Sequence, residues 1–497
     1  MTVTSTRHTG ARVVAAFALA AICGCAVGPD FHRPAAPTVE RYTATPLPAA
    51  TAAAPVADGE SQRFAAGGTI PAQWWTLFRS KKLEELVAQA LKANPTLAAA
   101  EGALRQAAEL RRAQFGAFFP ALDGTFSAER SKISGATFGQ PDAPSSLFTL
   151  YNASLNLSYN LDPFGGNRRR LEAAQSQVDY QEFLLEGARL TLAGNIVTTA
   201  VQEGSLRGRI RALSAIIASQ EEQLKLVELR QQLGAAALSE VLAQQAVLAD
   251  TRAALPPLEK ALAQTRHLLA VLAGRLPQDA GTFPEFELED FVLPQALPVS
   301  LPSEVVRQRP DVRASESLLH TASAEVGVAR ADRFPALTIT GSLGSQSSSA
   351  GSIFSSGTMV WNLGAGLTQP LFRGGELKAR EAAARAAYDE AEAQYRNTIL
   401  SAFREVADVL RALEVDARAL KAQAEAEGAA AGSLVVAQEE YRYGATSYPT
   451  LLNAIQQQKR AELTLIEARA ARLADSAALL QALGGGWWNR ERERRTE

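Results

Sequence analysis

Two periodicities divide this chain. Over residues 150–161 apolar side chains take alternate positions, Ala153, Leu155, Leu157, Tyr159 and Leu161, with Asn152, Ser154, Asn156, Ser158 and Asn160 between them. Met359, Trp361, Leu363, Ala365 and Leu367 repeat the alternation against Asn362, Gly364, Gly366 and Thr368, and residues 337–343 make a third such run. A period of two predicts strands with unlike faces. From Glu376 the period changes. Tyr395, Ile399, Phe403, Val406, Leu410, Leu413, Ala417, Leu420 and Ala424 follow spacings of three and four, a coiled-coil seam, with no proline until Pro449. A helix of nearly seventy residues would be roughly 100 Å long at about 1.5 Å per residue, more than an ordinary globular domain uses. A second seam, Leu206, Ile210, Leu213, Ile217, Gln220, Leu224 and Val227, predicts another long helix over about 167–233. Pro256 and Pro257 predict a bend or break in the helix that returns from it.

The same landmarks occur twice, in order. Asn94-Pro95 and Arg309-Pro310 each open a helix that runs to an aromatic-Pro-Ala-Leu, at 119–122 and 334–337. Pro95 to Pro120 and Pro310 to Pro335 are both 25 residues. A strand pair follows in each half, then Asp162-Pro163-Phe164-Gly165-Gly166 in the first and the glycine-ended turn at 369–375 in the second. The long helices reverse at Leu233-Gly234-Ala235 and Tyr443-Gly444-Ala445, and Gly234 to Gly274 equals Gly444 to Gly484, 40 residues. The chain is an internal duplication, each half reading helix, strand, strand, long helix, turn, helix. The first repeat covers 74–300 and the second 301–484. The C-terminal tail, 485–497, reads as a helix stop at Gly484-Gly485-Gly486 followed by a disordered charged end.

Strands with one apolar face and one of small polar residues fit an edge of a half-buried soluble sheet or a membrane-spanning strand between lipid and a wet lumen. Small polar positions in the strands of both halves favour the membrane. Four strands cannot close a barrel, and an open edge is not tolerated in hydrocarbon. The smallest usual barrel has about eight strands, so the protein is expected to assemble. Two copies would supply about eight strands and three about twelve, and the wider ring better suits an aqueous pore. The expected fold class is an α+β membrane protein: a shared transmembrane β-barrel with long helical hairpins.

Composition narrows the class further. The 497 residues would allow roughly two to four ordinary domains, but their even composition argues for one extended architecture. A net charge of −2 leaves no nucleic-acid footprint. Arg7 and Arg12 precede an apolar stretch at 13–22, too short for a permanent membrane span, so 1–24 is expected to be a signal peptide. Ile22-Cys23-Gly24-Cys25 resembles the lipobox of bacterial lipoproteins, with Cys25 as the acylated first residue of the mature chain. A plain signal peptide and a Cys-x-Cys metal pair are the alternatives. The lipobox is preferred because the only two cysteines sit at the cleavage junction and no histidine or further cysteine completes a metal site. Residues 25–73, rich in Pro, Ala and Thr, read as an extended tether, and Trp74, Trp75, Leu77 and Phe78 dock the first helix. No later segment has about eighteen consecutive apolar residues, so no transmembrane helix is expected. His8, His32, His267 and His320 have no ligand spacing, and neither a nucleophile elbow nor a phosphate-binding glycine loop occurs. Neither an enzyme nor a cofactor is expected, apart from the N-acyl diacylglycerol lipid on Cys25.

At four places the residues resemble a known family. Cys25-Ala26-Val27-Gly28-Pro29-Asp30-Phe31-His32-Arg33-Pro34, Phe119-Pro120-Ala121-Leu122, the run Leu268 to Pro277, and Arg309-Pro310-Asp311 resemble signatures of TolC-like outer-membrane efflux channels. The branch is that of lipoproteins working with resistance-nodulation-division pumps, and the resemblance spans essentially the whole mature chain. It implies a homotrimer in the outer membrane of a Gram-negative bacterium, with a twelve-stranded barrel continued by an α-helical barrel across the periplasm. It implies a periplasmic adaptor and an inner-membrane transporter as partners, and export of drugs or other small toxic compounds. Gly234 and Gly444 would then be periplasmic tips that meet the adaptor, with Arg230 and Arg442 as hydrogen-bond donors. Arginines there are favoured equally by the helix dipole alone.

The stretch Tyr448-Pro449-Thr450-Leu451-Leu452-Asn453-Ala454 is similar to the one lining the family's narrow periplasmic aperture, which commonly carries an acidic residue where this chain has Asn453. The expected entrance is held by packing and neutral hydrogen bonds among Tyr441, Thr450, Asn453 and Gln456, with Pro449 stiffening the helix start. Without a carboxylate ring, the family's cation selectivity is placed in doubt. Two alternatives remain. One is the channel of a type I protein-secretion system; the other is a lipid-anchored periplasmic coiled-coil scaffold with a small soluble sheet. A scaffold would be released by delipidation, whereas a barrel would still need detergent.

Overall fold

Proline marks where the duplicated elements begin. Pro95 and Pro310 take the first position of two helices of 22 residues each, where the missing N–H is not needed and φ is already helical. The computed structural model describes residues 26–139, 142 and 144–490. Its helices are α1 (Lys81–Ala93), α2 (Pro95–Gly116), α3 (Gly166–Gln232), α4 (Leu238–Ala253), α5 (Leu255–Leu272), α6 (Pro302–Gln308), α7 (Pro310–Ala331), α8 (Glu376–Arg442) and α9 (Tyr448–Ala482). Its strands are β1 (Arg63–Ala66), β2 (Ala121–Ile133), β3 (Ser146–Leu161), β4 (Ala296–Val299), β5 (Ala336–Ser347) and β6 (Met359–Thr368). The expected signal peptide and the lipidated Cys25 lie outside the described residues. Both long helices, α3 and α8, have 67 residues. The break expected at Pro256-Pro257 falls just before them, at Ala254 between α4 and α5. Its counterpart α9 has proline only in its first turn and runs unbroken for 35 residues.

The chain forms two compact units, each drawing on both repeats. Residues 26–33, 104–181 and 315–395 make one, and 34–103, 182–314 and 396–490 the other. In the first, β2-β3-β5-β6 form a single antiparallel sheet. Beside it the segment 26–33 is held in place. The Val27 N–H donates to Phe164 O at 2.9 Å, Arg169 pairs with Asp30 and Glu172 at 2.8 Å each, and Phe31 lies flat on His320 with centroids 4.2 Å apart. Gly28 crosses Gly327 so closely that a Cβ on Gly28 would stand 2.5 Å from the Gly327 Cα. No side chain fits there.

In the second unit the α8 seam is core: Ile399, Val406, Leu410, Leu413, Ala417 and Leu420 are all buried. Trp74, Trp75 and Phe78 are buried too, as their docking role requires. Three features depart from expectation. A short parallel pair, β1 with β4, is present; four residues are too few to show a period. Much of the expected tether is fixed instead of extended. Arg472, 1% exposed, donates to the carbonyls of Asp58 (2.8 Å) and Glu60 (3.0 Å), to Gln62 Oε1 (2.9 Å) and to Thr51 Oγ1 (3.2 Å). These acceptors offset the desolvation of the buried guanidinium. Within the expected disordered end, residues 485–490 are held in place. Trp487 Nε1 donates to Gln308 O at 2.7 Å, Asn489 to Ile70 O at 2.8 Å, and Arg490 grips both oxygens of Glu186.

Near Arg472 on α9, Asp475 interacts with Asp416 of α8. Burial, and then the second carboxyl, push its pKa up to about 8 from an ordinary 3.8, with Arg472 opposing. The folded pKa is raised, so this group favours folding most at acid pH and loses that contribution as pH rises through the folded pKa. Asp475→Asn should therefore unfold at a higher temperature than the parent, by a margin near zero at about pH 4 and largest above about pH 8. A margin independent of pH would show that this carboxyl does not titrate in the interval.

Candidate functional site: a two-faced sheet and two hairpin ends

Register decides which side chains share a face of the sheet, because successive residues point to opposite sides. One face carries Leu122, Phe126, Ala153, Leu155, Leu343, Trp361, Leu363 and Leu367. The other carries Thr125, Ser154, Asn156, Thr338, Ser342 and Asn362, tied together across the strands. Thr125 Oγ1 and Ser154 Oγ are 2.9 Å apart, Asn156 Nδ2 donates to Thr125 Oγ1 at 3.0 Å, and Asn362 Nδ2 donates to Ser342 Oγ at 2.8 Å. Phe126, Trp361, Leu363 and Leu367 on the apolar face are between 69% and 73% exposed. So large a bare apolar surface marks contact with lipid or another protein. A satisfied polar face opposite a bare apolar one is what a strand presents between a wet lumen and a bilayer. Among the described residues, no helix is long and apolar enough to cross a membrane. No group of three His, Cys, Asp or Glu among them is placed to hold a metal ion.

The second unit contains the two helix reversals. Next to them Val227, Val241, Ala437, Tyr448, Leu451, Leu452 and Ile455 form a buried cluster. Tyr448 donates its hydroxyl to Gln244 Oε1 at 2.5 Å, and Tyr441 donates to Glu240 Oε2 at 3.2 Å. The two tyrosine rings are 5.2 Å apart, and the Arg230 guanidinium lies over Tyr441 at 5.0 Å. Burial holds both phenols above their ordinary pKa, so both keep their protons at neutral pH.

The bonds expected among Tyr441, Thr450, Asn453 and Gln456 are not what the chain makes. Tyr441 goes to Glu240, and Thr450 Oγ1 to Ser447 Oγ at 2.9 Å. Asn453 and Gln456 are exposed, on one helix face with Pro449 at spacings of four and three. Both arginines are exposed and both lie over a tyrosine ring, Arg230 over Tyr441 at 5.0 Å and Arg442 over Tyr443 at 5.9 Å, with Arg442 also 3.9 Å from Glu439. Glu240 and Gln244 were not anticipated. The duplication carried a signal for the first, because Glu240 occupies the place in its repeat that Thr450 has in the other, six residues past the tip glycine.

Residues 86–275 and 301–485 match the family described as outer membrane efflux protein. The chain is 32% identical over 452 residues to the pyoverdine export outer membrane protein OpmQ of Pseudomonas putida, covering 89% of this chain and 94% of that protein. It is 28% identical over 467 residues to the toluene efflux pump outer membrane protein TtgC of Pseudomonas putida, covering 94% and 93%. Among solved structures, the outer-membrane channel OprN superposes with a TM-score of 0.84 at 29% identity, over 93% of this chain and all of that one. The CmeC outer membrane channel of Campylobacter jejuni gives 0.84 at 25% identity, over 94% and 98%.

The two reversals close in the same way. Gly234 and Gly444 have φ of +74° and +73°. The following N–H reaches back five residues, Ala235 to Arg230 O at 2.7 Å and Ala445 to Glu440 O at 2.8 Å, a left-handed helix cap. A Cβ added at either glycine would meet nothing within 4 Å, so alanine there carries the backbone penalty alone. Gly444→Ala should lower stability by about 1–2 kcal/mol and speed amide exchange locally around the reversal. A loss above about 3 kcal/mol would mean that this end packs against something more than solvent.

Proposed function

Since this chain belongs to the outer membrane efflux protein family, a family of outer-membrane channels and not enzymes, we propose that it is the passive conduit of a three-part efflux system. Three copies close one barrel in the outer membrane, a periplasmic adaptor meets the hairpin ends around Gly234 and Gly444, and an inner-membrane resistance-nodulation-division transporter drives export. Cys25 carries the lipid. The observation that carries this reading is the four-stranded sheet, whose hydrogen-bonded polar face, bare apolar face and two open edges make a third of a water-filled barrel.

Cargo selection belongs to the pump and adaptor. Relatives are named for pyoverdine export in one case and for toluene or solvent efflux in others. A conduit lined by small hydroxyl and amide side chains offers such unlike molecules no common site, which fits export of drugs or other small toxic compounds chosen upstream. The exposed stripe of Pro449, Asn453 and Gln456 lines the periplasmic aperture, where Asn453 leaves the ring uncharged.

In planar bilayers the purified protein should form stable channels, and Cys25→Ser should still require detergent, because the barrel rather than the lipid holds it in the membrane. A water-soluble, non-conducting Cys25→Ser protein would leave only a lipid-anchored scaffold. Asn453→Ala should change single-channel conductance, and Asn453→Asp should raise preference for cations, read as a shift in reversal potential under a salt gradient. Unchanged conductance and reversal potential in both variants would remove Asn453 from the aperture.

A further inference from the structure

The apolar face of the four-stranded sheet is unlike at its two ends. β2 contributes Leu122, Gly124, Phe126, Ala128, Arg130 and Lys132 to that face, and Thr149 and Leu147 of β3 stand opposite the last two. Over the paired positions of all four strands these are its only charges, both positive, and no acid shares the face with them. Their height follows from the register. From Leu161 to Tyr151, which opposes Ala128, β3 takes ten steps, about 34 Å of strand. At a tilt of about 40° this covers about 26 Å, close to the roughly 25 Å apolar band of a membrane barrel. Arg130 and Lys132 occupy the next two rows, at the height of lipid headgroups, where cationic side chains find water or phosphate. Helices α2 and α3 adjoin the other ends of these strands, near Ala121 and Leu161. With those helices entering the periplasm, the two cations stand in the outer leaflet.

The same face holds a cleft of about 800 Å³, within the roughly 300–1,000 Å³ of ordinary ligand sites, lined in part by Phe126, Leu155, Leu343, Phe354 and Met359. Phe126 is four residues from Arg130, about 14 Å along the strand. One wall is the connection between β5 and β6, residues 348–358. It folds onto the face where Ser345 and Ser347 would otherwise put hydroxyls into hydrocarbon. Ser345 Oγ reaches Ile353 O and lies 2.6 Å from Thr358 Oγ1, and Ser347 Oγ and Ser352 Oγ are 2.6 Å apart. Ile353 is buried by this fold, whereas Phe354 next to it is 83% exposed and lines the cleft.

We propose that this is a binding site for the phosphorylated, multiply acylated glycolipid of the outer leaflet, with phosphate on Arg130 and Lys132 and an acyl chain in the cleft. The proposal rests on the conduit reading above, which puts this end of the sheet outside. The guanidinium offers a planar fork to phosphate oxygens, and the ammonium offers a point charge. Residues two apart on one face are about 7 Å apart along the strand, so each cation can hold a phosphate of its own. A glycolipid headgroup with two phosphates answers both. A glycerophospholipid has one phosphate and leaves the second cation unanswered.

Lipid A is the probe, added to the purified protein in detergent and counted by native mass spectrometry. Arg130→Gln combined with Lys132→Gln should weaken its binding at least about tenfold, the scale of two cations removed from an anionic lipid surface. Lipid A stripped of both phosphates should bind the parent as weakly as intact lipid A binds that variant. Ala153→Phe, which puts a ring into the cleft, should weaken binding of lipid A with both cations in place. Phosphatidylglycerol should bind weakly, and equally to parent and double variant. Equal binding of the two lipid A forms to the parent overturns the site, even where the double variant fails to fold. So does an unchanged affinity in the double variant or in Ala153→Phe. Phosphatidylglycerol bound as tightly as lipid A, and lost with the same two cations, replaces the glycolipid by any anionic lipid. Failure of the unsubstituted protein to conduct strikes the conduit reading instead, whatever lipid it binds.

Discussion

A backbone N–H or C=O in hydrocarbon must find a partner, because no water is present to take its place. Each unmet group costs several kcal/mol. An edge of ten residues such as that of β6 turns about half its residues outward, or about ten such groups. The resulting penalty exceeds the whole stability of an ordinary domain, about 5–15 kcal/mol. A lone protomer therefore has no stable place in a bilayer, although every strand in it is well formed. Folding in the membrane and assembly become one event, and stability depends on the concentration of copies.

That constraint accounts for the duplication as well as the assembly. A ring built of equivalent hairpins needs each hairpin to present one edge that fits the next. Within the chain β3 and β5 already fit in this way, the second strand of one repeat against the first of the other. The repeats have nevertheless diverged where the ring does not restrain them. The helix after the first reversal is broken at Ala254, whereas α9 continues to Ala482. Pro256 and Pro257 account for the break, and the second repeat has no proline at the matching place.

What could be read from the chain before its structure depended on the range over which each signal acts. Alternation in β3, the α8 seam and the spacing of Pro95 and Pro310 are local and repeated, so they were legible. The fixing of residues 51–62 was not. Its acceptors include the backbone carbonyls of Asp58 and Glu60, and their donor Arg472 lies more than four hundred residues away on a helix rich in other arginines. Pro- and Ala-rich composition describes such a segment equally well whether or not a distant guanidinium holds it. Trp487 was misplaced for the same reason, since its partner is the carbonyl of Gln308. At the hairpin ends the glycines were legible from their φ requirement. Gln244 was not, because a glutamine inside a helix shows nothing of the tyrosine above it.

The chemistry of those ends bears on how the entrance would move. Tyr441 and Tyr448 keep their protons at neutral pH, and Asn453 carries no charge. A change of pH near neutrality therefore supplies little force there. Separating the hairpins means breaking the bond of Tyr441 to the Glu240 carboxylate, about 1.5–3 kcal/mol, and that of Tyr448 to Gln244, about 1 kcal/mol. It also lifts the Arg230 guanidinium from the Tyr441 ring, about 0.5–1 kcal/mol at an exposed site. These polar contacts sum to a few kcal/mol, and parting the buried cluster of Val227, Val241, Leu451, Leu452 and Ile455 adds about 1.5–3 kcal/mol for each such side chain fully exposed. A partner docking at these ends would part the hairpins only by binding the parted arrangement more tightly than the joined one, by at least that margin.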